Sequence, residues 1–508
     1  MRLEYICHSC FAIDVCGKTI VFDPWITGTA YHGRWHLFPK PADISKAVSA
    51  DIICISHGHN DHLHNDSLKR INKNAHVFFP YQWRKGIRSY FKHAGFSKIT
   101  EAVSFHCYEP AAGIKITYLG YSLESVIVIE VGGKVLVNIN DALNSNHENA
   151  VNYLLNKIKE RWSKIDYFLS GWSGAGYFPN KVKFKTKNDI ETGKIREQYF
   201  ANNFCRFTKF LNPRMAIAFA PGFALLQEDN RWINQLKFPR QELNKYYRNY
   251  FDNETKIKFP IMYPGDYIKK DELVKSSLTG VKVSDDKLYD KLETEFENEI
   301  RESNIKRVFP ETQFPNFLSK LNSQLEKNKN IYPKLVLEDA IFSIYLNDIL
   351  QNSFLNVAFC NGEFRVTRSN NMHAESKLVI STDAALLMEN FKKPWGGDLL
   401  SIGYGITIEV FEERSLEKNL DIICVRLLSR FPIVIKDMPG NLHRMIKYYF
   451  SNPEISLLWL RQKTMLKPYV NKFPFNERDH WISFKKCDLC KVCNLPELNF
   501  YSGYSILT

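Results

Sequence analysis

Alternation of apolar and polar residues dominates the first 140 residues and predicts short β-strands. The runs are RLEYICH, CFAIDV, KTIVFD, DIICIS, HVFFP, IKITYL, SVIVIEV and KVLVNIN, separated by turns rich in glycine, proline and polar residues. Helical periodicity appears between some of these runs, around residues 67–73 and 148–159. We therefore expect sheets covered by helices in the N-terminal half of the chain.

The pattern changes near residue 276. Residues 276–327 are rich in lysine and glutamate and place an apolar residue every three or four positions, which is typical of amphipathic helix. Strand-like runs return within residues 335–425, together with one helical stretch and a glycine turn. The pattern predicts an N-terminal domain at 1–275, a helical connection at 276–334, a small α+β domain at 335–430 and a helical tail with a cysteine cluster at 431–508.

Composition places the chain among globular proteins. Of its 508 residues, 44% are apolar and 24% are charged, and no apolar run approaches the roughly 18 to 20 residues of a membrane-spanning helix. We expect no membrane association. The segment MRLEYICHSCFAIDV lacks the features of a secretion signal, so we expect a cytoplasmic protein. In a reducing cytoplasm the eleven cysteines are expected to be thiols or metal ligands.

The formal net charge of +13 favours anionic partners. The lysines are spread along the chain and form no dense basic block, which weakens the case for nucleic acid. We expect an anionic small molecule or a nucleotide-linked substrate. Nucleic acid and a protein partner of the C-terminal half are the alternatives.

The segment CISHGHNDHLH contains the strongest chemical signal in the chain. His57, His59, Asp61 and His62 form an H-x-H-x-D-H motif directly after the apolar run 51–56. A tight loop at the end of a buried strand directs neighbouring side chains into one cleft. Imidazole suits zinc or iron and carboxylate suits hard cations, so the first two histidines would bind one metal while Asp61 and His62 face a second. A polar surface loop with unrelated histidines is the alternative.

This loop and several other stretches resemble the metallo-β-lactamase fold, and more narrowly the metallo-β-lactamase-like domain of CMP-N-acetylneuraminate hydroxylases and their bacterial relatives. The stretches are VFDPWITG, the histidine loop, KVLVNIND, LSGWSGAGYFP and LNPRMAIAFAPGF, in that order within residues 21–223. The resemblance implies a four-layer αββα sandwich of the α/β (α+β) class, with the site at one edge of its two sheets. It also implies an enzyme with one or two divalent metals, namely Zn, Fe or Mn.

The resemblance assigns metal binding to five residues of this chain: His57, His59, Asp61, His62 and Asp141. Asp61 would be a ligand or a catalytic base, and the carboxylate of Asp141, which follows an apolar strand, would bridge two metals. A turn aspartate without a metal is the alternative for Asp141.

Two histidines that the family normally supplies have no counterpart at the expected places. One should bind the first metal shortly before the strand that ends at Asp141, and one should complete the second metal late in the domain. Ser122, Glu124, His106 and His147 lie near the first of these places. We therefore expect either one weakly held metal, or sites with carboxylate and water ligands that suit iron or manganese better than zinc.

Five further residues are expected around the metals. His8 is predicted to pack in the first hairpin or to hydrogen-bond behind the site, and Asp23 to orient the histidine loop from behind. Trp172 and Tyr177 lie in a glycine-rich loop that suits close approach to a ligand, and Arg206 is a candidate partner for phosphate. Ordinary turn or surface roles are the alternatives for these last three.

Cys487, Cys490 and Cys493 form a C-x-x-C-x-x-C cluster near the end of the sequence. Thiolates at this spacing can hold zinc or part of an iron–sulfur cluster, and each of these needs four ligands in all. We expect either a second, separate Zn or Fe–S site here or unliganded thiols.

Four functions follow from these features. A hydrolase that uses a metal-activated hydroxide comes first, and a nuclease would use the same chemistry. An iron-dependent oxygenase, as in the family that the chain resembles, comes next, because the Rieske C-x-H and C-x-x-H pairs of those hydroxylases are not found in this sequence. A weakly metallated scaffold or binding protein is the last alternative.

Overall fold

The computed structural model describes residues 1–82, 86–120, 124–144, 148–183, 189–332, 334–338, 340–393, 396–411, 415, 420–429, 442–450, 453 and 457. The strands are β1 (Arg2–Cys7), β2 (Cys10–Val15), β3 (Lys18–Phe22), β4 (Thr29–Ala30), β5 (Trp35–Leu37), β6 (Ile52–Cys54), β7 (His76–Pro80), β8 (Ile99–Ala102), β9 (Cys107–Ala111), β10 (Ile114–Gly120), β11 (Ser125–Val131), β12 (Lys134–Asn140), β13 (Tyr167–Ser170), β14 (Val182–Lys183), β15 (Met215–Ala218), β16 (Phe223–Leu225), β17 (Tyr267–Lys269), β18 (Glu272–Val274), β19 (Phe342–Leu346), β20 (Phe354–Cys360), β21 (Glu363–Ser369), β22 (Leu378–Thr382) and β23 (Thr407–Val410).

The α-helices span Ser45–Val48, Asn65–Arg70, Ile87–His93, Glu148–Arg161, Asp189–Leu211, Arg240–Tyr250, Asp285–Leu288, Leu292–Glu295, Glu297–Ser303, Phe314–Asn328, Lys334–Glu338, Ala384–Lys392, Gly397–Leu400, Leu420–Leu428 and Leu442–Phe450. Short 3-10 turns lie at Arg231–Leu236, Tyr289–Lys291, Glu311–Gln313 and Lys329–Ile331. The helical pattern predicted within residues 276–327 is thus present as several short helices and one longer one.

Two sheets form the centre of the N-terminal half. The first has the strand order β18-β17-β1-β2-β3-β6-β7-β8, and the second has the order β15-β13-β12-β11-β10-β9. Tight turns connect the antiparallel strands: Cys16 and Gly17 both have positive φ between β2 and β3, as do Gly132 and Gly133 between β11 and β12. Two consecutive residues with positive φ match the twist of a two-residue hairpin.

Strand register places apolar side chains in rows between the two sheets. Leu3 pairs with Ile13, Ile13 with Ile20, and Ile20 with Ile52. All four side chains are buried in one cluster with residues of the second sheet, such as Ile127 and Leu169. The opposite faces of both sheets pack on helices. The predicted αββα sandwich is confirmed.

The C-terminal half contains a third sheet, with the order β14-β23-β22-β19-β20-β21. Its strand β14 comes from the N-terminal half and runs parallel to β23, with Val182 opposite Ile408. The helices Phe314–Asn328, Ala384–Lys392 and Leu420–Leu428 contact one another over this sheet. Strand pairing therefore joins the two halves of the chain.

Membrane insertion finds no support in the helices. Among the described residues, none of them combines the length and apolar character that crossing a bilayer requires.

Candidate metal centre

The histidine motif lies where several strands end. Asp23 follows β3, the loop with His57 follows β6, and Asp141 follows β12. β3 and β6 are parallel, as are β12 and β13, so the carboxyl ends of strands from both sheets meet at one edge. Open edges of this kind collect functional side chains in α/β proteins.

Asp23 is fully buried and hydrogen-bonds to several residues at this edge of the sheets. Its Oδ1 accepts a hydrogen bond from the Ser56 amide at 2.7 Å, and its Oδ2 accepts one from the Ser56 hydroxyl at 2.7 Å. Oδ2 also accepts from His62 Nδ1 at 3.1 Å and from the side-chain amide of Asn140. One carboxylate therefore fixes the start of the histidine loop, one histidine ring and the end of β12.

These hydrogen bonds determine the tautomers of two histidines. Because a carboxylate only accepts, the Nδ1 of His62 carries its proton toward Asp23, and Nε2 points away. The Ser56 hydroxyl donates its single proton to Asp23, so it can only accept a hydrogen bond from His57 Nδ1, at 2.9 Å. The Nε2 lone pair of His57 therefore points toward the cleft, as a metal ligand requires.

The first donor set consists of His57, His59 and Glu124, whose ligand atoms all lie within 4.8 Å of one another. His57 Nε2 and His59 Nδ1 face each other at 2.7 Å. Glu124 lies directly before β11, near the place where the family would supply a histidine. Two imidazoles and one carboxylate form a ligand set known from iron oxygenases and also from zinc hydrolases.

The second donor set consists of His57, His62 and Asp141. Asp141 Oδ2 lies 3.3 Å from His62 Nε2 and 3.7 Å from His57 Nε2. Ligand atoms that share an ion at roughly 2.0 to 2.2 Å stand about 3 to 4 Å apart, so these separations suit a common cation. The side chain of Asp141 is 41% exposed, whereas the rings of both histidines are buried. The donors therefore line the floor of an accessible cleft.

His8 belongs to a third group with Asp61 and His62, but its hydrogen bonds argue against metal binding. The Gly222 amide donates to His8 Nδ1 at 3.0 Å. A neutral ring that accepts at Nδ1 carries its proton on Nε2, and this nitrogen lies 2.9 Å from Asp61 Oδ2. His8 therefore holds Asp61 in place and offers no lone pair to a metal.

Asp61 is fixed on both oxygens. Tyr31 donates its hydroxyl proton to Oδ1 at 2.5 Å, while His8 donates to Oδ2. Asp61 Oδ2 also lies 3.1 Å from His62 Nε2, so the carboxylate faces the same point as the second donor set. Its orientation is set before any ligand binds.

Electrostatics keep these groups in distinct protonation states. Burial, and then the neighbouring His62 and His59, hold the pKa of His57 well below its usual value. Burial would raise the pKa of Asp61, but His62 and His8 bring it well below the usual value. Burial would lower the pKa of His62, but Asp61 and Asp141 raise it well above the usual value. A neutral His57, an ionised Asp61 and the two carboxylates beside His62 all favour the binding of a cation.

Several residues around the site have a backbone conformation that is uncommon for residues with a side chain. His8, Asp23, Tyr31 and Asn140 have φ between 35° and 50°. Such conformations persist only where the surroundings enforce them, and they concentrate at functional sites. The hydrogen bonds of Asp23 and Asp61 are the enforcing contacts here.

Other residues singled out in the sequence make structural contacts. Trp172 is buried and donates its indole N–H to the Phe238 carbonyl at 2.7 Å. Tyr177 is buried and donates its hydroxyl to Asp421 at 3.0 Å. The guanidinium of Arg206 lies 4.9 Å from the centre of the Phe207 ring. None of these contacts places the three residues in the donor sets.

The remaining sequence candidates divide into two groups. His106 is exposed and packs on Tyr108, with ring centres 4.5 Å apart. Ser122, His147 and the cysteine cluster Cys487, Cys490 and Cys493 lie outside the described residues. The cysteines that the structure describes are all free thiols.

Sequence reasoning passed over Tyr31, Ser56 and Asn140, which position the ligands. It named Glu124 only as one of several residues near the gap left by a family histidine. The sequence did contain a signal for Glu124. Its carboxylate lies directly before β11, Asp141 lies directly after β12, and the two strands form a hairpin, so both residues are at the same end of the sheet.

Known proteins resemble the N-terminal part of the chain. Residues 2–144 match the sequence profile of the Beta-lactamase superfamily domain. The N-terminal region is therefore similar to the Beta-lactamase superfamily. The cytidine monophosphate-N-acetylneuraminic acid hydroxylase of Xenopus laevis is 24% identical over 274 residues, which are 50% of this chain and 44% of that protein. The match therefore spans less than half of the relative's length.

The similar solved structures have lower sequence identity. CmlA, a diiron beta-hydroxylase from Streptomyces venezuelae, is 16% identical, with a TM-score of 0.36 over 51% of this chain and 52% of CmlA. The metallo hydrolase Igni18 from Ignicoccus hospitalis is 17% identical, with a TM-score of 0.33 over 54% of this chain and 99% of Igni18.

The residues of this site fit a metal. Three imidazoles and three carboxylates converge, and the rings of His57 and His62 are oriented by hydrogen bonds at the nitrogen that faces away from the cleft.

Proposed function

We propose that the N-terminal domain is an iron-dependent oxygenase with a two-metal centre. His57, His59 and Glu124 would hold one ion, and His57, His62 and Asp141 the other, with Asp61 next to His62 Nε2 at 3.1 Å. The observation that carries this proposal is the position of Glu124 beside His57 and His59. A carboxylate at this place produces a set of two histidines and one carboxylate, the ligand pattern of non-haem iron oxygenases.

This proposal reverses the order that the sequence favoured, in which a hydrolase came first. Zinc centres are built mainly from nitrogen and sulfur ligands, whereas equal numbers of imidazoles and carboxylates suit iron or manganese. The Xenopus laevis relative, at 24% identity, is named a hydroxylase, which supports the same direction. The predicted anionic substrate and cytoplasmic location stay predictions.

When bound, iron would supply the activation of dioxygen. The chain's own residues then have three tasks. Asp23 and Ser56 orient the rings of His57 and His62, and Tyr31 and His8 hold Asp61. The exposed face of Asp141 leaves room for substrate beside the ions.

Tyr31 also supplies a proton at a defined atom. Burial and the charge of Asp61 raise the pKa of its phenol well above the usual value, so the hydroxyl stays protonated and keeps donating to Asp61. The Tyr31–Asp61 hydrogen bond therefore keeps the charge of the carboxylate constant over the physiological pH range.

A hydrolase is the second candidate, because two histidines and one glutamate also form a catalytic zinc site. A zinc ion lowers the pKa of a coordinated water and so provides a hydroxide for attack on an ester or amide. The same residues would hold the ions, so metal identity separates the two functions.

The test is metal analysis combined with two assays. Protein purified without chelator should contain iron and, after addition of a reductant, consume oxygen. Zinc-loaded protein should not hydrolyse bis(p-nitrophenyl) phosphate. Zinc as the native metal together with such hydrolysis would instead establish the hydrolase.

Variants of Glu124 test the decisive ligand. Glu124→Gln should remove at least one of the two iron ions per chain, because a neutral amide is a poor iron ligand. Glu124→His should shift the metal content from iron toward zinc. Glu130→Gln, on the strand β11 that follows Glu124, is the matched control and should leave the metal content unchanged. Unchanged iron in Glu124→Gln would remove the basis of the proposal.

A further inference from the structure

Lys237 binds a segment of backbone next to the metal centre. Its ammonium donates to the Phe223 carbonyl at 2.8 Å and to the Pro221 carbonyl at 3.5 Å. It also donates to the Tyr289 hydroxyl. An ammonium has three N–H donors, so these three contacts use all of them. Lys237 therefore binds both ends of segment 221–223 and connects it to the helical connection that carries Tyr289.

A first path of contacts leads from this segment to the site through His8. The Gly222 amide, which lies between the two carbonyls that Lys237 binds, donates to His8 Nδ1 at 3.0 Å. His8 Nε2 donates to Asp61 Oδ2 at 2.9 Å, and Asp61 Oδ2 lies 3.1 Å from His62 Nε2. A Cβ at position 222 would lie only 2.8 Å from the His8 backbone. Because the two backbones pack this closely, a shift of the segment would displace His8.

A second path leads through aromatic rings. The Lys237 ammonium lies 4.3 Å from the centre of the Phe223 ring. This ring stacks on Trp35, with centres 3.6 Å apart and an angle of 8° between the planes. Trp35 contacts Tyr31 edge to face at 4.6 Å, and Tyr31 donates to Asp61 Oδ1. The two paths therefore end on the two oxygens of one carboxylate.

We infer that Lys237 is a positioning residue of the metal centre, which fixes segment 221–223 so that both hydrogen-bond donors of Asp61 keep their direction. It acts through its neighbours and not by coordination, because an ammonium has no lone pair for a metal. The inference rests on the proposed metal centre. The Phe38 amide also donates to the Gly222 carbonyl at 3.1 Å, so the segment keeps one anchor without the lysine and the expected effect is moderate.

The test is the affinity of the full chain for Co²⁺, measured by competition with a chromophoric chelator. Lys237→Met removes the three donors and keeps the length of the side chain. It should weaken Co²⁺ binding about three- to ten-fold, less than the loss of a group that hydrogen-bonds a ligand directly. Lys159→Met is the matched control, because Lys159 is also half-buried and donates to the Leu211 carbonyl at 2.8 Å. It should bind Co²⁺ within about two-fold of the wild type.

A double-variant cycle separates positioning from a general loss of structure. Asp61→Ala removes the carboxylate on which both paths end and leaves the first and second donor sets complete. In the Asp61→Ala background, Lys237→Met should therefore weaken Co²⁺ binding by less than about two-fold. An equal loss in both backgrounds would overturn the inference, because Lys237 would then act independently of Asp61.

The outcomes also separate this inference from the proposed function. Unchanged Co²⁺ affinity of Lys237→Met, with a His57→Ala variant that binds more weakly, would overturn the role of Lys237 alone. Unchanged binding in His57→Ala would overturn the metal centre and this inference together. Circular dichroism verifies folding. If Lys237→Met does not fold, Tyr289→Phe replaces it in the cycle with the same expectation, because the Tyr289 hydroxyl accepts from Lys237 and donates to the Phe223 carbonyl at 3.2 Å.

Discussion

Asp23→Asn offers the sharpest test of how the site is held together. Asp23 is fully buried and accepts hydrogen bonds from four donors, three of them at Oδ2 and one at Oδ1. An asparagine that keeps its oxygen at the Oδ2 position places its NH₂ group against the Ser56 amide. The Ser56 N–H is then left without an acceptor, and the three hydrogen bonds at the retained oxygen are no longer made to a charged group.

The magnitude follows from these two changes. A hydrogen bond to a charged group contributes about 1.5 to 3 kcal/mol, and an unsatisfied buried donor costs about 1 to 3 kcal/mol. We expect the free energy of unfolding to fall by about 3 to 5 kcal/mol. Loss of the charge that orients His57 and His62 should also weaken metal binding about 10- to 100-fold.

Urea unfolding of the metal-free protein and Co²⁺ competition measure the two effects separately. Asp166→Asn is the control, because Asp166 is also buried and accepts from the Val135 amide at 3.0 Å and from Lys134 at 2.9 Å. It should lower stability without changing the metal affinity. An Asp23→Asn protein that lost less than about 1 kcal/mol and bound metal normally would refute the network described here.

Three further predictions concern residues next to the donors and one distant ion pair. Gly222→Ala places a Cβ 2.8 Å from the His8 backbone, so thermal melts should show a loss of about 1 to 3 kcal/mol, whereas Gly280→Ala, which meets nothing within 4 Å, should melt like the wild type. His8→Gln should retain the metal content of the wild type, because the glutamine amide can replace the donor to Asp61; loss of metal would show that the His8 ring is a ligand. Asp285→Asn leaves the Arg240 guanidinium buried without its carboxylate and should cost about 3 to 5 kcal/mol at neutral pH in urea unfolding. Burial would raise the pKa of Asp285, but Arg240 lowers it below the usual 3.8. The ion pair therefore stabilises the fold above pH 3.8, and this stabilisation is lost as the pH falls through the lowered pKa. If the variant were less stable than the wild type by the same free energy at all acidic pH values, the ion pair would not be the cause.

Local pattern was sufficient for the main strands of the N-terminal half and for the centre of the site, whereas the four-layer sandwich was implied by the family resemblance. Period-two alternation in segments such as CFAIDV and KTIVFD predicts strands because one face of each must be buried, and the rows formed by Leu3, Ile13 and Ile20 are that face. The H-x-H-x-D-H spacing brings its ligands together because they occupy one loop.

What the sequence by itself determined was therefore the strands that alternate with period two and the candidate ligands within six consecutive residues, and its resemblance to a family implied the order of the layers. Only the tertiary structure decided which distant residue joins them, because the pairing of β11 with β12 brings Glu124 to the same edge. The tautomers were decided there as well, since the proton of His8 is placed by the amide of Gly222, which lies 214 positions away in the chain. Hydrogen bonds and charges between residues far apart in the chain produce no periodic pattern in the sequence. The choice between zinc and iron chemistry therefore depends on the folded chain, which brings the ligands together.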